Sequence, residues 1–304
     1  MLIEANCIKT ALNTAGLTLQ ADSGESFLVK GIYVGTVTTA GYLTAKVDNF
    51  TVASYRVAGK RGNELGGVRK MQFGINLMRY LVDRGLPFAI PIAEGQKLTL
   101  PALDGIGYTM VVYDRYTAGD IKETAPNGTA CRKYGFIQYL DASTVLTASG
   151  DLLLNATLSP PEFPAFPAND VVPSKMSISL LGIEGCPFAD FASANNGFYS
   201  KYLKLIRDRQ VLIDEDRNGI LFWGNPETTG TNDYSYAVSL IGSVGEQQIG
   251  DWCYKVHPPL MFEPPLKFIS GDELLVYLSI IKIGTHTMPT GLPDIGLILE
   301  VNRE

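Results

Sequence analysis

Ile92-Ala-Glu-Gly-Gln-Lys-Leu-Thr-Leu100 decides how the chain is read, because it returns, loosely rewritten, as Phe268-Ile-Ser-Gly-Asp-Glu-Leu-Leu-Val276. In each copy an apolar strand end runs into a glycine-centred turn with polar flanks, at Gly95 and at Gly271. A second strand then leaves with Leu98 or Leu274 at the same distance from the turn. Internal repetition fixes architecture before any local propensity does. Working outward, Phe27–Gly35 is similar to Met176–Gly185, Gly41–Val47 to Gly197–Leu203, and Met71–Leu77 to Tyr234–Leu240. The pair Ile106-Gly107 returns as Ile295-Gly296. Five landmarks thus recur in one order, and the second copy is longer mainly between them, where loops belong.

The segments joining these landmarks carry strand chemistry. Val, Ile, Thr, Tyr and Phe alternate with small or polar residues over short runs, and Gly, Asn and Asp divide them. The expected strands of the second half are 176–183, 198–206, 210–214, 219–224, 234–241, 273–283 and 295–302. Regular strand-helix alternation is missing. One short helix is expected near 78–85, stopped by Gly85 and Pro87. The fold class is therefore all-β, with two tandem jelly-roll β-sandwich units and short helices in loops. The boundaries are an N-terminal arm at 1–25, a first jelly roll at 26–116, a connecting segment at 117–175 and a second jelly roll at 176–304. Pro160, Pro161, Pro164, Pro167 and Pro173 mark the end of the connection, since proline cannot donate to a central ladder.

Composition narrows the function. The chain has 304 residues, enough for two domains that each bury a core. Charged residues are 18%, against about 25% in typical soluble proteins, while apolar residues reach 46%. So few charges imply surface that is buried against other subunits, or else a chain unusually rich in strands. Net charge is −6 and the first 25 residues hold only Glu4, Lys9, Asp22 and Glu25, so no basic arm exists to neutralise a polyanion. Nucleic acid is not expected as a direct partner. Cys7, Cys131, Cys186 and Cys253 are scattered, as thiols made in a reducing compartment are. The first residues lack a basic region followed by an apolar stretch, and no run approaches the ~20 apolar residues that span a bilayer.

No phosphate-binding glycine loop, nucleophile elbow or His-Glu-x-x-His motif is present. The two histidines, His257 and His286, stand in proline- and threonine-flanked loops and read as loop residues. No catalytic residue and no cofactor are assigned, and no enzyme is expected. One stretch has metal logic. Asp214, Asp216 and Asn218 place oxygen side chains at alternate positions before Gly219, as in the first half of a calcium loop, but the twelfth position is Asn225. A β-hairpin with an Asn218-Gly219 turn is the preferred reading, because strand-like residues flank it on both sides. Trp223, Trp252, Tyr254 and Phe262 could form a sugar platform, though core packing accounts for them as well.

Two similar units in one chain, the Gly95 and Gly271 turns at matching places and the helix expected before Pro87 resemble the double jelly-roll major capsid proteins of tailless icosahedral viruses. The resemblance is above all to those of small bacterial viruses that enclose a membrane. The likeness spans nearly the whole chain and is architectural. It implies a homotrimer that looks pseudo-hexagonal, tiles with neighbouring capsomers and meets an internal membrane and minor or penton proteins. It further implies an inner arm at 1–25, exposed or inter-subunit loops at 184–197 and 242–264, and a virion protein made in the host cytoplasm. The alternatives are a trimeric spike or carbohydrate-binding module, and a two-barrel amidase resembling peptide-N-glycosidase.

Overall fold

The computed structural model describes residues 1–12, 15–35, 41–57, 75–76, 89–102, 107–121, 133–142, 146–156, 166, 171–186, 189–193, 196–213, 220–224, 237–239, 260–285 and 294–303. The chain is all-β, its sheet pairings are antiparallel, and the described residues contain no α-helix. The helix expected near 78–85 lies outside them. Two compact units divide the chain: Met1–Arg61 with Val68–Ile137, and Gly62–Gly67 with Gln138–Glu304.

The first unit holds β1 (Leu2–Leu12), β2 (Leu17–Gln20), β3 (Glu25–Gly35), β4 (Gly41–Val47), β5 (Phe50–Val57), β6 (Ile75–Asn76), β7 (Ile90–Ile92), β8 (Lys97–Leu100) and β9 (Tyr108–Thr117). One sheet runs β1-β9-β3-β6 with β7 also on β3, and the other runs β2-β8-β4-β5. Alternate residues of each are buried: Phe27, Val29, Ile32, Val34 and Val111 in the first, and Leu17, Leu19, Leu43, Val47 and Leu98 in the second. That alternation, read from sequence as strand-like, is what supplies each sheet with one apolar face.

The second unit holds β10 (Lys133–Ala142, which crosses the unit boundary), β11 (Gly150–Ala156), β12 (Met176–Cys186), β13 (Ala189–Ser193), β14 (Asn196–Arg207), β15 (Gln210–Ile213), β16 (Ile220–Gly224), β17 (Ala237–Ser239), β18 (Leu260–Ile269), β19 (Leu274–Ile283) and β20 (Asp294–Arg303). They form one sheet in the order β17-β16-β14-β19-β11-β10-β20-β12-β18, with β13 and β15 also on β14.

Strand by strand, the second unit repeats the first. In one, Gly95 donates its N–H to Ala21 O at 2.9 Å, Ala21 donates to Gln96 O and Gln96 to Ala93 O. In the other, Gly271 donates to Val172 O at 2.9 Å, Val172 to Asp272 O and Asp272 to Ile269 O. The side chain after each glycine folds back alike: Gln96 Oε1 accepts from Ala93 N, and Asp272 Oδ2 from Ile269 N. Both glycines are left-handed, φ 82° and 91°, as the third position of a type II turn requires. The ladders agree too. Val29 and Gly31 face Tyr113 and Val112 across a one-residue bulge, and Leu180 and Gly182 face Leu299 and Ile298 across another. Asp48 ends β4 at φ 53° and accepts from Lys97 N, while Asp208 ends β14 at φ 45° and accepts from Glu273 N.

The glycine positions carry a prediction. Nothing lies within 4 Å of a Cβ built on Gly95 or Gly271, so alanine there adds only left-handed strain, about 1–2 kcal/mol in each unit. At Gly182 a Cβ would stand 2.6 Å from the Leu260 carbonyl oxygen, which belongs to the backbone of β18 and cannot rotate aside. Denaturant midpoints are expected to fall further for Gly182→Ala than for Gly271→Ala. The reverse order would contradict the paired β12–β18 ladder at that point.

Three expectations change. Residues 1–25, read as an arm outside the first jelly roll, supply β1 and β2 to its sheets, because the polar spacing at 13–16 is short and Leu17 and Leu19 have a core to enter. Residues 117–175, read as a connection with a candidate strand at 152–158, supply β11 near that place and β10 as well. The stretch 184–197, which the resemblance makes an exposed or inter-subunit loop, is the end of β12 followed by β13, which pairs back on β14 as a hairpin.

Candidate functional site

The most elaborate polar arrangement among the described residues sits on the first unit's five-stranded sheet, where β9 lies between β1 and β3. Both neighbours bulge opposite the same stretch of β9. On β1 the register jumps between Glu4, facing Arg115, and Cys7, facing Tyr113; on β3 it jumps between Val29 and Gly31. A bulge re-aims the extra residue. Asn6, at φ 58°, turns its N–H onto Asp114 Oδ1 at 2.8 Å, and Lys30 brings its Nζ to the same oxygen at 2.8 Å. Lys30 Nζ also donates to Asn6 Oδ1 at 2.9 Å, so three strands meet at one carboxylate.

A second group stands one residue further along β9. The Arg115 guanidinium donates to Glu4 Oε2 at 2.9 Å from β1 and to Glu25 Oε1 from β3. Beyond it the Met1 ammonium contacts Thr117 Oγ1 and Asp120. Asp114 is 8% exposed, and burial pushes its carboxyl up. The Lys30 ammonium and the Asn6 N–H outweigh that effect and hold it below its ordinary value of 3.8. Hydrogen bonding to Arg115 holds the Glu4 carboxyl low as well. Burial, with the Glu4 carboxylate beside it, pushes the Cys7 thiol up, so the thiol stays protonated and is a poor nucleophile.

These groups are arranged to join strands. Each carboxylate is engaged by a donor on another strand, the guanidinium spans two acids, and the Glu4 carboxylate beside Cys7 is itself held by Arg115. Glu4, Asn6, Lys30, Asp114 and Arg115 were not singled out by their sequence spacing. The available signal was Gly31, since a glycine inside a strand marks a bulge.

Asp214, Asp216 and Asn218 lie outside the described residues, as do His257, His286, Trp252 and Tyr254. Their flanking strands are described and do not form the expected hairpin. β15 pairs with β14 at Arg207–Leu205 and β16 pairs with β14 at Leu203–Tyr202, so both lie end to end along one edge of β14. In the first unit the equivalent strand, β5, is continuous: Ala53, Ser54 and Tyr55 face Ala45, Thr44 and Leu43 without interruption. Residues 214–219 therefore enter where β5 has only Ser54, as an insertion peculiar to the second copy. Trp223 is on β16 opposite Val238, and Phe262 is on β18. No group of three or more His, Cys, Asp or Glu positioned to hold a metal occurs among the described residues.

A second polar group marks the other unit. Arg207 on β14 pairs with Asp272 beside the Gly271 turn, and its guanidinium lies 5.3 Å from the centre of the Phe268 ring. Phe268 is fully buried against Phe166, with ring centres 5.1 Å apart. In the first unit Ile92 occupies the place of Phe268, and Gln96 Nε2 reaches Asp48 Oδ2 at 3.4 Å.

No family model matches this chain, and no curated protein matches it. Among solved structures, one of PNGF-II in a C2 space group is similar at a TM-score of 0.28 and 8% identity, over 98% of this chain and 59% of that one. The chain thus spans less than two thirds of that protein's length, and a TM-score so low does not establish a shared fold.

Proposed function

We propose that this chain is a structural major capsid protein, which forms homotrimers of pseudo-hexagonal outline that tile a virion shell. The observation that carries this reading is the duplication of one unit, matched turn by turn and bulge by bulge between β3, β7, β8 and β9 and their counterparts β12, β18, β19 and β20. Three chains with two such units each present six similar bodies around a three-fold axis, and six similar bodies fill a plane. The low charge content supports it, since lateral contacts between chains remove surface from water. On this reading the partners are further copies of the chain, then neighbouring capsomers, an internal membrane and minor or penton proteins.

Light scattering of the purified protein over a range of concentrations and salt levels tests the reading, followed by negative-stain imaging of whatever elutes. The expected particle has about three times the 33.0 kDa chain mass and a hexagonal outline, or grows into sheets and shells. A stable monomer under all conditions would overturn it.

A further inference from the structure

We propose that β1 is a self-association edge, which pairs antiparallel with β1 of a second copy of this chain across a two-fold axis. The comparison of the two units points there. In the first unit β1 flanks β9, and in the second β10 flanks β20, the counterpart of β9. At its last three residues the far side of β10 is met by β11, with Leu140, Asp141 and Ala142 facing Ala156, Asn155 and Leu154. Among the described residues the far side of β1 has no such strand. A row of backbone donors and acceptors on an open edge is a template for another strand.

The side chains fit the same purpose. Ile8 is 63% and Leu12 76% exposed, and Leu2 and Ile3 are exposed as well. Proline blunts two other edge strands, Pro91 in β7 and Pro264-Pro265 in β18, whereas β1 contains none and, beyond its bulges at Leu2–Cys7, keeps a regular ladder from Cys7 to Leu12. Its charges select the partner and the direction. Glu4 stands near one end and Lys9 near the other, so a parallel copy sets like charges side by side. An antiparallel copy sets each Glu4 near the other chain's Lys9. Glu4 stays 57% exposed while paired with Arg115, which leaves it able to meet a second cation. Such a two-fold contact is isologous, with one strand serving both sides. It does not depend on the capsid reading, although in a shell it would link trimers to one another.

The test compares the wild type with Ile8→Lys, an exposed position where lysine leaves the unit's core untouched. Sedimentation velocity of the wild type is expected to show a concentration-dependent association, a doubling for a single chain and growth beyond doubling for a trimer, which carries three such edges. Ile8→Lys is expected to abolish the association with its melting temperature unchanged. No association up to the solubility limit, or an association that Ile8→Lys leaves intact, would overturn the proposal. The capsid reading is judged separately, by whether the Ile8→Lys protein itself remains trimeric.

Discussion

Replacing Phe268 with alanine is expected to destabilise the second unit by about 3–5 kcal/mol, the range for a large buried aromatic truncated in a close-packed core. The ring is fully buried, tilts at 58° against Phe166 and carries the Arg207 guanidinium 5.3 Å from its centre. Truncation opens a cavity and also removes the surface on which Arg207 is oriented toward Asp272. Phe268 lies beside the Gly271 turn, so the loss should be felt where β18, β19 and β14 meet. Phe268→Leu retains most of the volume and should cost less. Denaturant unfolding of both variants checks the order. A Phe268→Ala protein within about 1 kcal/mol of wild type would mean the site collapses readily, contrary to the packing described.

The second large effect is expected at Asp114. Asp114→Ala leaves the Lys30 ammonium and the Asn6 N–H without their shared acceptor, at a cost of about 2–3 kcal/mol. Most of that is the loss of the charge-assisted bonds themselves, moderated at Lys30, which is 38% exposed and partly screened by water. Amide exchange should localise the damage to β1 and the bulge of β3. The same carboxylate makes the junction acid-sensitive. Its folded value is depressed, so its stabilisation is fully present above the ordinary aspartate range and is lost as pH falls through the lowered folded value. Glu4 acts in the same direction. Protection of the β1 amides is therefore expected to fall at strongly acid pH while the β4–β5 hairpin keeps its own. Asp114→Ala should remove part of that pH dependence, and an unchanged profile would show that the junction does not depend on this group.

Much of the architecture could be read from local residues. The Gly95 and Gly271 turns were aligned residue for residue, because a left-handed position tolerates few residues but glycine and the polar flanks follow from the turn. Several strands were placed within a residue or two, β15, β16 and β19 among them, since alternation needs no knowledge of the partner. The correspondence between strands was less exact. Alternation matches Gly41–Val47 to Gly197–Leu203, whereas the ladders pair Val47 with Leu98 and Arg207 with Leu274, and so make Val47 the equivalent of Arg207. A period-two pattern aligns with itself at every second residue, and only hydrogen-bonded register removes the choice.

What the sequence by itself determined is the all-β class, the duplication and the turns, all of which depend on residues close together in the chain. The tertiary structure alone decided which distant strands pair. Glu4, Asn6, Lys30 and Asp114 come from three segments, and neither bulge has meaning until β9 lies between them. It also decided that β15 and β16 lie end to end on β14, and that β1 and β10 take equivalent places beside β9 and β20. The physical reason is common to all of these: a strand's faces are written in its own side chains, but its edge is satisfied by backbone groups that every residue carries, and the choice among them is made only when the whole sheet is assembled.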